Sequence, residues 1–389
     1  MQVMPEQLTA LETLNTTFFA TLSRRHLLGT GLAATLGPSL ALTQGVPVAA
    51  PLLAKRALQF PRDLGSHPNT AIEWWYVTGA LQAQERQYGF QLTFFRSRIP
   101  STQTMRSAFA AKQLIFAHAA VTDVASKRLL HDQRIDRNSG TTTRASVDLA
   151  HASEADTDVS LRDWSLRRNS RSYLATVKTS EFAFNLTFTE TQPLLLQGDL
   201  GLSSKGPQAE HASFYYSLPQ LQVAGDLALD TRFMQVTGSA WLDHEWSHSV
   251  MPPQAVGWDW IGMNLTDGSA LTAFRLRDST GTAVWAGGSW RAAPGTGQPE
   301  IFVPEHVVFK PLRYWQSPAT AARYPVEWEV LTGQRRHTVR ALVDNQELDS
   351  SGSTGAVYWE GLSELLDSES QVVGHGYLEM TGYAKPLKL

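Results

Sequence analysis

The sequence predicts an all-β protein of two barrel or sandwich domains of one design, and three observations predict it. Strand-like runs recur at short intervals with Gly, Pro, Asp and Ser between them, the spacing of barrels and sandwiches and not of βαβ units. No stretch keeps a helical period against them. One pattern occurs twice: Glu73-Trp74-Trp75-Tyr76 leads through a hairpin to Phe95-Arg96-Ser97-Arg98, and Trp258-Asp259-Trp260-Ile261 leads through another to Phe274-Arg275-Leu276-Arg277. Each copy has an acid beside Trp on one strand and Phe-Arg-x-Arg ending the next. This predicts a first domain over 58–232 and a second over 233–389. Closing each sheet removes the free edges that invite aggregation.

The elements follow in chain order. Residues 1–50 read as an export signal: Ser23-Arg24-Arg25-His26-Leu27-Leu28 opens a stretch with no charged residue until Lys55, and Val48-Ala49-Ala50 offers a small-residue cleavage site. The pattern is that of the twin-arginine route and predicts a periplasmic or secreted protein. Gly29, Gly31, Gly37 and Pro38 interrupt the apolar part, so no stable membrane span is expected in the mature chain. Beyond it, 88–95 alternates with Phe90, Leu92 and Phe94 on one face, and 182–188 alternates with every even position apolar. Further strands are expected at 115–123, 174–179, 233–241, 270–277, 283–289, 326–331, 338–344, 356–361 and 374–383. The pair Asp267-Gly268 marks a hairpin turn between two of them.

Composition narrows the function. With 389 residues and 42% hydrophobic content the chain can bury substantial cores. A formal net charge of −3, with no basic run among aromatics, gives no reason to expect nucleic acid as a partner. The absence of cysteine rules out disulfides, a thiol nucleophile and Cys-ligated zinc. No G-x-S-x-G, P-loop or G-x-G-x-x-G motif occurs, Ser351-Gly352-Ser353-Thr354-Gly355 being only an approximation that reads as a loop.

The densest chemistry lies in Trp241-Leu242-Asp243-His244-Glu245-Trp246-Ser247-His248 and Trp258-Asp259-Trp260, which place three acids, two histidines and four tryptophans within twenty residues. His244 to His248 spells H-E-x-x-H, the zinc-protease motif, which needs a helix to bring both imidazoles to one metal. Here it follows a β-like run, and a strand would hold the two rings roughly 13 Å apart at about 3.3 Å per residue. No metal and no cofactor is therefore expected; a zinc reading would require a local helical turn with His306 or His375 as third ligand. Metal-free acid/base chemistry remains, for which a carboxyl buried among indoles is suited, because burial lets it keep a proton near neutral pH.

The same residues carry a family resemblance. His67-Pro68-Asn69-Thr70-Ala71-Ile72-Glu73-Trp74-Trp75-Tyr76, with 89–96 after it, resembles the opening signature of the AttH-type predicted secreted hydrolases. Phe214-Tyr215-Tyr216-Ser217, Val236-Thr237-Gly238-Ser239-Ala240-Trp241-Leu242-Asp243-His244-Glu245-Trp246 and Gly257-Trp258-Asp259-Trp260 match its middle. The resemblance covers nearly the whole mature chain. It implies two tandem lipocalin-like, calycin-type barrels, a fold shared with carotenoid 1,2-hydratase (hydroxyneurosporene synthase) and with fungal cyclases acting on apolar polyenes. It also implies a neighbouring ABC transporter of the lipoprotein-release type.

Two functions follow as expectations. The first is an exported protein that binds an apolar small molecule, lipid-like or isoprenoid-like; the alternative is an acid-catalysed hydratase, cyclase or hydrolase acting on such a molecule. Asp243, His244, Glu245 and Asp259 are the candidate catalytic residues. Glu73, Trp74, Trp75, Tyr76, Tyr215, Tyr216, Trp246, Trp258 and Trp260 are the candidate ligand-binding residues, with aromatic faces able to stabilise a cation. Each has a structural counterpart: Asp243 or Glu245 paired with Arg275 or Arg277, Glu73 paired with Arg96 or Arg98, His244 as a core imidazole, and the tryptophans as barrel core.

Overall fold

Alternation of apolar and polar residues along each run builds two antiparallel sheets. The computed structural model describes residues 51–107, 109–139, 149–295 and 297–387, so the signal segment expected over 1–50 lies outside the described residues. The first sheet holds β1 (Ile72–Ala83), β2 (Arg86–Arg98), β3 (Gln113–Asp123), β4 (Arg128–Asn138), β5 (Ala150–Ala152), β6 (Asp158–Leu161), β7 (Trp164–Asn169), β8 (Ser172–Lys178), β9 (Phe182–Thr189), β10 (Leu195–Leu196), β11 (Leu202–Ser204), β12 (Ala212–Leu229) and β13 (Arg232–Ser249). The second holds β14 (Gly257–Leu265), β15 (Ala270–Arg277), β16 (Ala283–Arg291), β17 (Glu300–Phe302), β18 (Val307–Gln316), β19 (Arg323–Thr332), β20 (Arg335–Ala341), β21 (Glu347–Ser350), β22 (Ala356–Leu366) and β23 (Val372–Met380). Helix is confined, among the described residues, to three single 3₁₀ turns, none long enough to cross a membrane.

The two sheets share one topology. The first runs β4-β3-β2-β1-β13-β12-β9-β8-β7 before continuing to β6 and β5, and the second runs β17-β16-β15-β14-β23-β22-β20-β19-β18. In each, a four-strand meander is joined through its first strand to the last strand of the unit. The internal similarity seen in the sequence is a topological repeat, and its register agrees: Glu73 faces Arg96 across β1 and β2, and Asp259 faces Arg275 across β14 and β15. One expectation is corrected. The strand starting near Phe233 is β13, which pairs with β1 and β12 and completes the first sheet. The passage between sheets falls at 250–256, because the last strand must return to the first for the sheet to curl on itself.

Asn138, at the end of β4, donates from Nδ2 to Ala150 O on β5 at 2.8 Å, so the ends of the first sheet meet. Its interior is filled by Trp75, Phe90, Phe184, Phe188, Leu242 and Trp246, all buried. The second sheet encloses Ile261, Met263, Trp328, Trp359 and Leu378. Side chains that leave these interiors by the two-residue alternation meet in a third cluster containing Tyr76, Trp241, Trp260, Phe274 and Tyr377. Gly262 makes room there, since a Cβ on it would lie 2.4 Å from the Trp260 ring and 3.2 Å from that of Trp241. The expected Asp-Gly hairpin is present: Gly268 takes φ +90°, and Asp267 Oδ1 accepts from Ser269 N at 2.8 Å.

Candidate active site between the two sheets

Alternation along β13 divides the acid-rich run into two faces. Leu242, His244 and Trp246 point into the first barrel, while Trp241, Asp243 and Glu245 point out towards the second sheet. The neighbouring strands align their own outward residues with them: Tyr76 and Ser217 lie opposite Asp243, and Trp74 and Tyr215 opposite Glu245. From the second sheet, β14 presents Trp258 and Trp260, and β22 and β23 present Glu360 and Glu379, which are direct cross-strand partners. All of these outward side chains except Trp241 and Ser217 line a cavity of about 280 Å³, near the lower end of the roughly 300–1,000 Å³ of small-molecule sites.

Asp243 lies on its wall. Its carboxylate accepts from Tyr215 Oη at 2.7 Å, Ser217 Oγ at 2.6 Å and Trp241 Nε1 at 2.7 Å. Tyr215 Oη in turn accepts from Trp260 Nε1 at 3.2 Å, linking the two sheets. Burial pushes the Asp243 carboxyl up to about 7, against the pull of these three donors. Glu245 is held differently. It accepts from Ser213 and pairs with the buried Lys205 ammonium at 3.0 Å. Lys205 in turn lies over the rings of Tyr215 and Phe274, 4.7 and 4.1 Å from their centroids.

Burial likewise pushes Glu379 up to about 7, and burial together with the adjacent Glu379 raises Glu360 well above the ordinary range. Glu360 Oε1 and Tyr76 Oη are both buried on the cavity wall and face each other, but neither makes a well-formed hydrogen bond among the described residues. At the rim, His118 Nδ1 lies 2.8 Å from Tyr358 Oη and its Nε2 2.8 Å from Ser353 Oγ. Burial pushes that imidazole down to about 3.

Of the residues singled out from the sequence, Asp243, Glu245, Trp74, Tyr76, Tyr215, Trp258 and Trp260 are brought together on this cavity. His244, Trp75, Tyr216 and Trp246 are not; they belong to the first barrel's interior. His244 Nε2 lies 2.9 Å from Glu73 Oε1, and Tyr216 Oη lies 2.9 Å from its Nδ1. Burial pushes its ring down to about 4 despite the carboxylate. Glu73 anchors a closed network. Ser66 Oγ and Arg96 Nε donate to its Oε2 at 2.9 and 2.7 Å, and His67 Nδ1 lies 2.8 Å from its Oε1. Burial opposes the charge of Glu73, but Arg96, His244 and His67 outweigh it and hold the carboxyl well below the usual range. The pair also touches the cavity wall where β1 and β2 leave the barrel.

The H-E-x-x-H spelling lies wholly on β13, and its helical reading does not apply. His67, Glu73 and His244 do bring one ligand atom each within 4.8 Å of the others. They do not fit a metal: Glu73 Oε1 already serves both imidazoles, and the Arg96 guanidinium beside Oε2 would repel a divalent ion.

Asp259 also lies off the cavity. It points into the second barrel, where Arg275 Nε lies at 2.7 Å, Arg277 Nε at 3.4 Å, and Tyr383 Oη donates at 2.9 Å. The arginines expected for Asp243 or Glu245 are therefore taken by Asp259, because residues alternate and Asp259 faces opposite to Trp258 and Trp260. Sequence reasoning missed Glu360, Glu379 and Lys205. The only signals were an acid beside Trp at Trp359-Glu360 and strand alternation placing Tyr377 and Glu379 on one face.

The family model that describes AttH-like proteins matches residues 51–383. A crystal structure of an AttH candidate from Nitrosomonas europaea is 44% identical, covers 86% of this chain and 99% of its own, and superposes with a TM-score of 0.78. Kievitone hydratase from Nectria haematococca shares the fold at 14% identity and a TM-score of 0.63, covering 87% of this chain and 94% of its own. No protein of curated function matches the chain significantly in sequence. Both barrels lie within the matched span, and the chain belongs to the AttH-like family.

Proposed function

We propose that the cavity between the sheets performs acid-catalysed addition of water to an apolar, alkene-bearing small molecule. The observation that carries this reading is the Asp243 carboxyl, buried among indole and phenol rings and pushed up to about 7, so that it holds a proton near neutral pH. Asp243 gives that proton to one alkene carbon, and the positive charge forms on the other, faced by Trp258 and Trp260. A water held between Glu360 Oε1 and Tyr76 Oη, neither of which makes a well-formed hydrogen bond to the protein, adds to the cation. Its surplus proton passes to the Glu360 and Glu379 pair, and solvent exchange returns Asp243 to the acid. One alkene and one water give one alcohol, with no redox change.

The name of the hydratase that shares this fold agrees with the class of reaction. The Arg24-Arg25 segment supports a place after export, and the family resemblance supports an ABC transporter of the lipoprotein-release type as neighbour. The test is native mass spectrometry of the mature protein purified without detergent, followed by turnover of the bound apolar compound in ¹⁸O-water. One ¹⁸O per product, absent in Asp243→Asn, is expected. An apolar adduct that is retained but never turned over would return the cavity to binding and hand-off.

A further inference from the structure

The acids around the cavity outnumber the basic side chains placed to pair with them. Two acids on its wall have cations of their own: Glu73 with Arg96 at 2.7 Å and Glu245 with Lys205 at 3.0 Å. Asp243, Glu360 and Glu379 have no basic side chain within ion-pair distance among the described residues, and each lies on the cavity wall. Glu360 Oε1 and Tyr76 Oη moreover face each other without a well-formed hydrogen bond, while their residues are only 3% and 6% exposed. Buried polar atoms without partners cost free energy unless a ligand or water satisfies them.

The aromatic walls already accept an ammonium. Lys205 shows the arrangement within the chain: its Nζ lies over Tyr215 and Phe274 with a carboxylate at its side. Trp258 and Trp260, beside Glu379, repeat that combination of aromatic face and acid without a lysine. We propose that this cavity selects organic cations, namely an apolar amine or quaternary ammonium compound seated over the indoles with its charge against Glu360, Glu379 and Asp243. The proposal rests on the cavity being the ligand site and not on the hydration chemistry. The same surplus of acids over bases would also favour a cation that exists only during a reaction.

Equilibrium dialysis of the full mature protein at pH 8 with phenyltrimethylammonium, its neutral isostere tert-butylbenzene, and benzoate tests it. The ammonium is expected to bind at least tenfold more tightly than tert-butylbenzene, and benzoate more weakly than either. Glu360→Gln and Asp243→Asn, measured separately, are each expected to cut that ratio at least threefold while leaving tert-butylbenzene binding within threefold of wild type, which also reports an intact cavity. Equal affinity for the ammonium and its isostere, or no binding of the ammonium, overturns the proposal. Cation preference without hydration would leave it standing and remove the proposed reaction. Hydration of a neutral alkene by a protein lacking the preference would do the reverse.

Discussion

Glu360 and Glu379 stand opposite each other on β22 and β23, with both carboxyl groups on the cavity between the sheets. Burial, and after it the repulsion between neighbouring carboxylates, keeps a proton on the pair where an exposed acid would have lost it. Glu360→Gln removes that repulsion. The variant is expected to melt at a higher temperature than wild type at pH 8 and at a similar one at pH 5, while turnover falls because the surplus proton of the water loses one of its two carboxylate acceptors. Thermal melts at the two pH values and a rate assay check this; a lower melting temperature at pH 8 would refute it.

Asp243→Asn keeps the shape of the side chain and removes its proton. General acid catalysis contributes roughly 10²–10⁴-fold, and kcat is expected to fall by about that factor with KM little changed. Steady-state kinetics beside circular dichroism decides the matter. An unfolded variant would show that Asp243 holds the structure and not the reaction.

The same residue gives a pH signature. Its carboxyl is at about 7 in the folded chain against an ordinary 3.8, so between those values the folded state binds more protons than the unfolded one. The stability of wild type due to this group is full below about pH 4 and is lost as pH rises to about 7. About three units at ~1.4 kcal/mol each set a ceiling of about 4 kcal/mol. Relative to wild type, Asp243→Asn should gain stability across that window and stay level above it, as urea unfolding at pH 4, 5.5, 7 and 8.5 would show.

Asp259→Asn should behave in the opposite way. It strands Arg275 and Arg277 inside the second barrel, and breaking a buried pair costs about 3–5 kcal/mol. The melting temperature is expected to drop, while the folded fraction retains turnover within a few-fold. Selective loss of rate at unchanged stability would make Asp259 a catalytic residue after all.

Because Glu73 already serves His67, His244, Arg96 and Ser66, dialysis against EDTA should change neither melting temperature nor turnover. His248→Ala should likewise leave both unaltered. Loss of rate on chelation, restored by zinc, would revive the metal reading.

Much of the fold was legible because β structure writes itself into local alternation. Phe182, Phe184, Leu186 and Phe188 point inward as their spacing predicts, and Asp267-Gly268 turns its hairpin. The repeat was legible too, since Glu73 with Arg96 and Asp259 with Arg275 are equivalent cross-strand pairs. Where the repeat divides was not legible, because β13 joins the first sheet by a pairing with β1 more than 150 residues away in sequence, Trp75 opposite His244.

For the site, the sequence by itself determined which residues were chemically notable and which alternate ones share a face. It could not say which face meets a second sheet. Asp243 and His244 are adjacent in the chain, yet one borders the cavity and the other closes a barrel, a choice made by the direction in which β13 enters the ladder. Glu360 and Glu379 carry no motif, and only cross-strand register and the packing of the two sheets place them on the same cavity as Asp243. Local patterning is encoded residue by residue, whereas a site assembled from strands distant in sequence exists only once long-range pairing fixes the register.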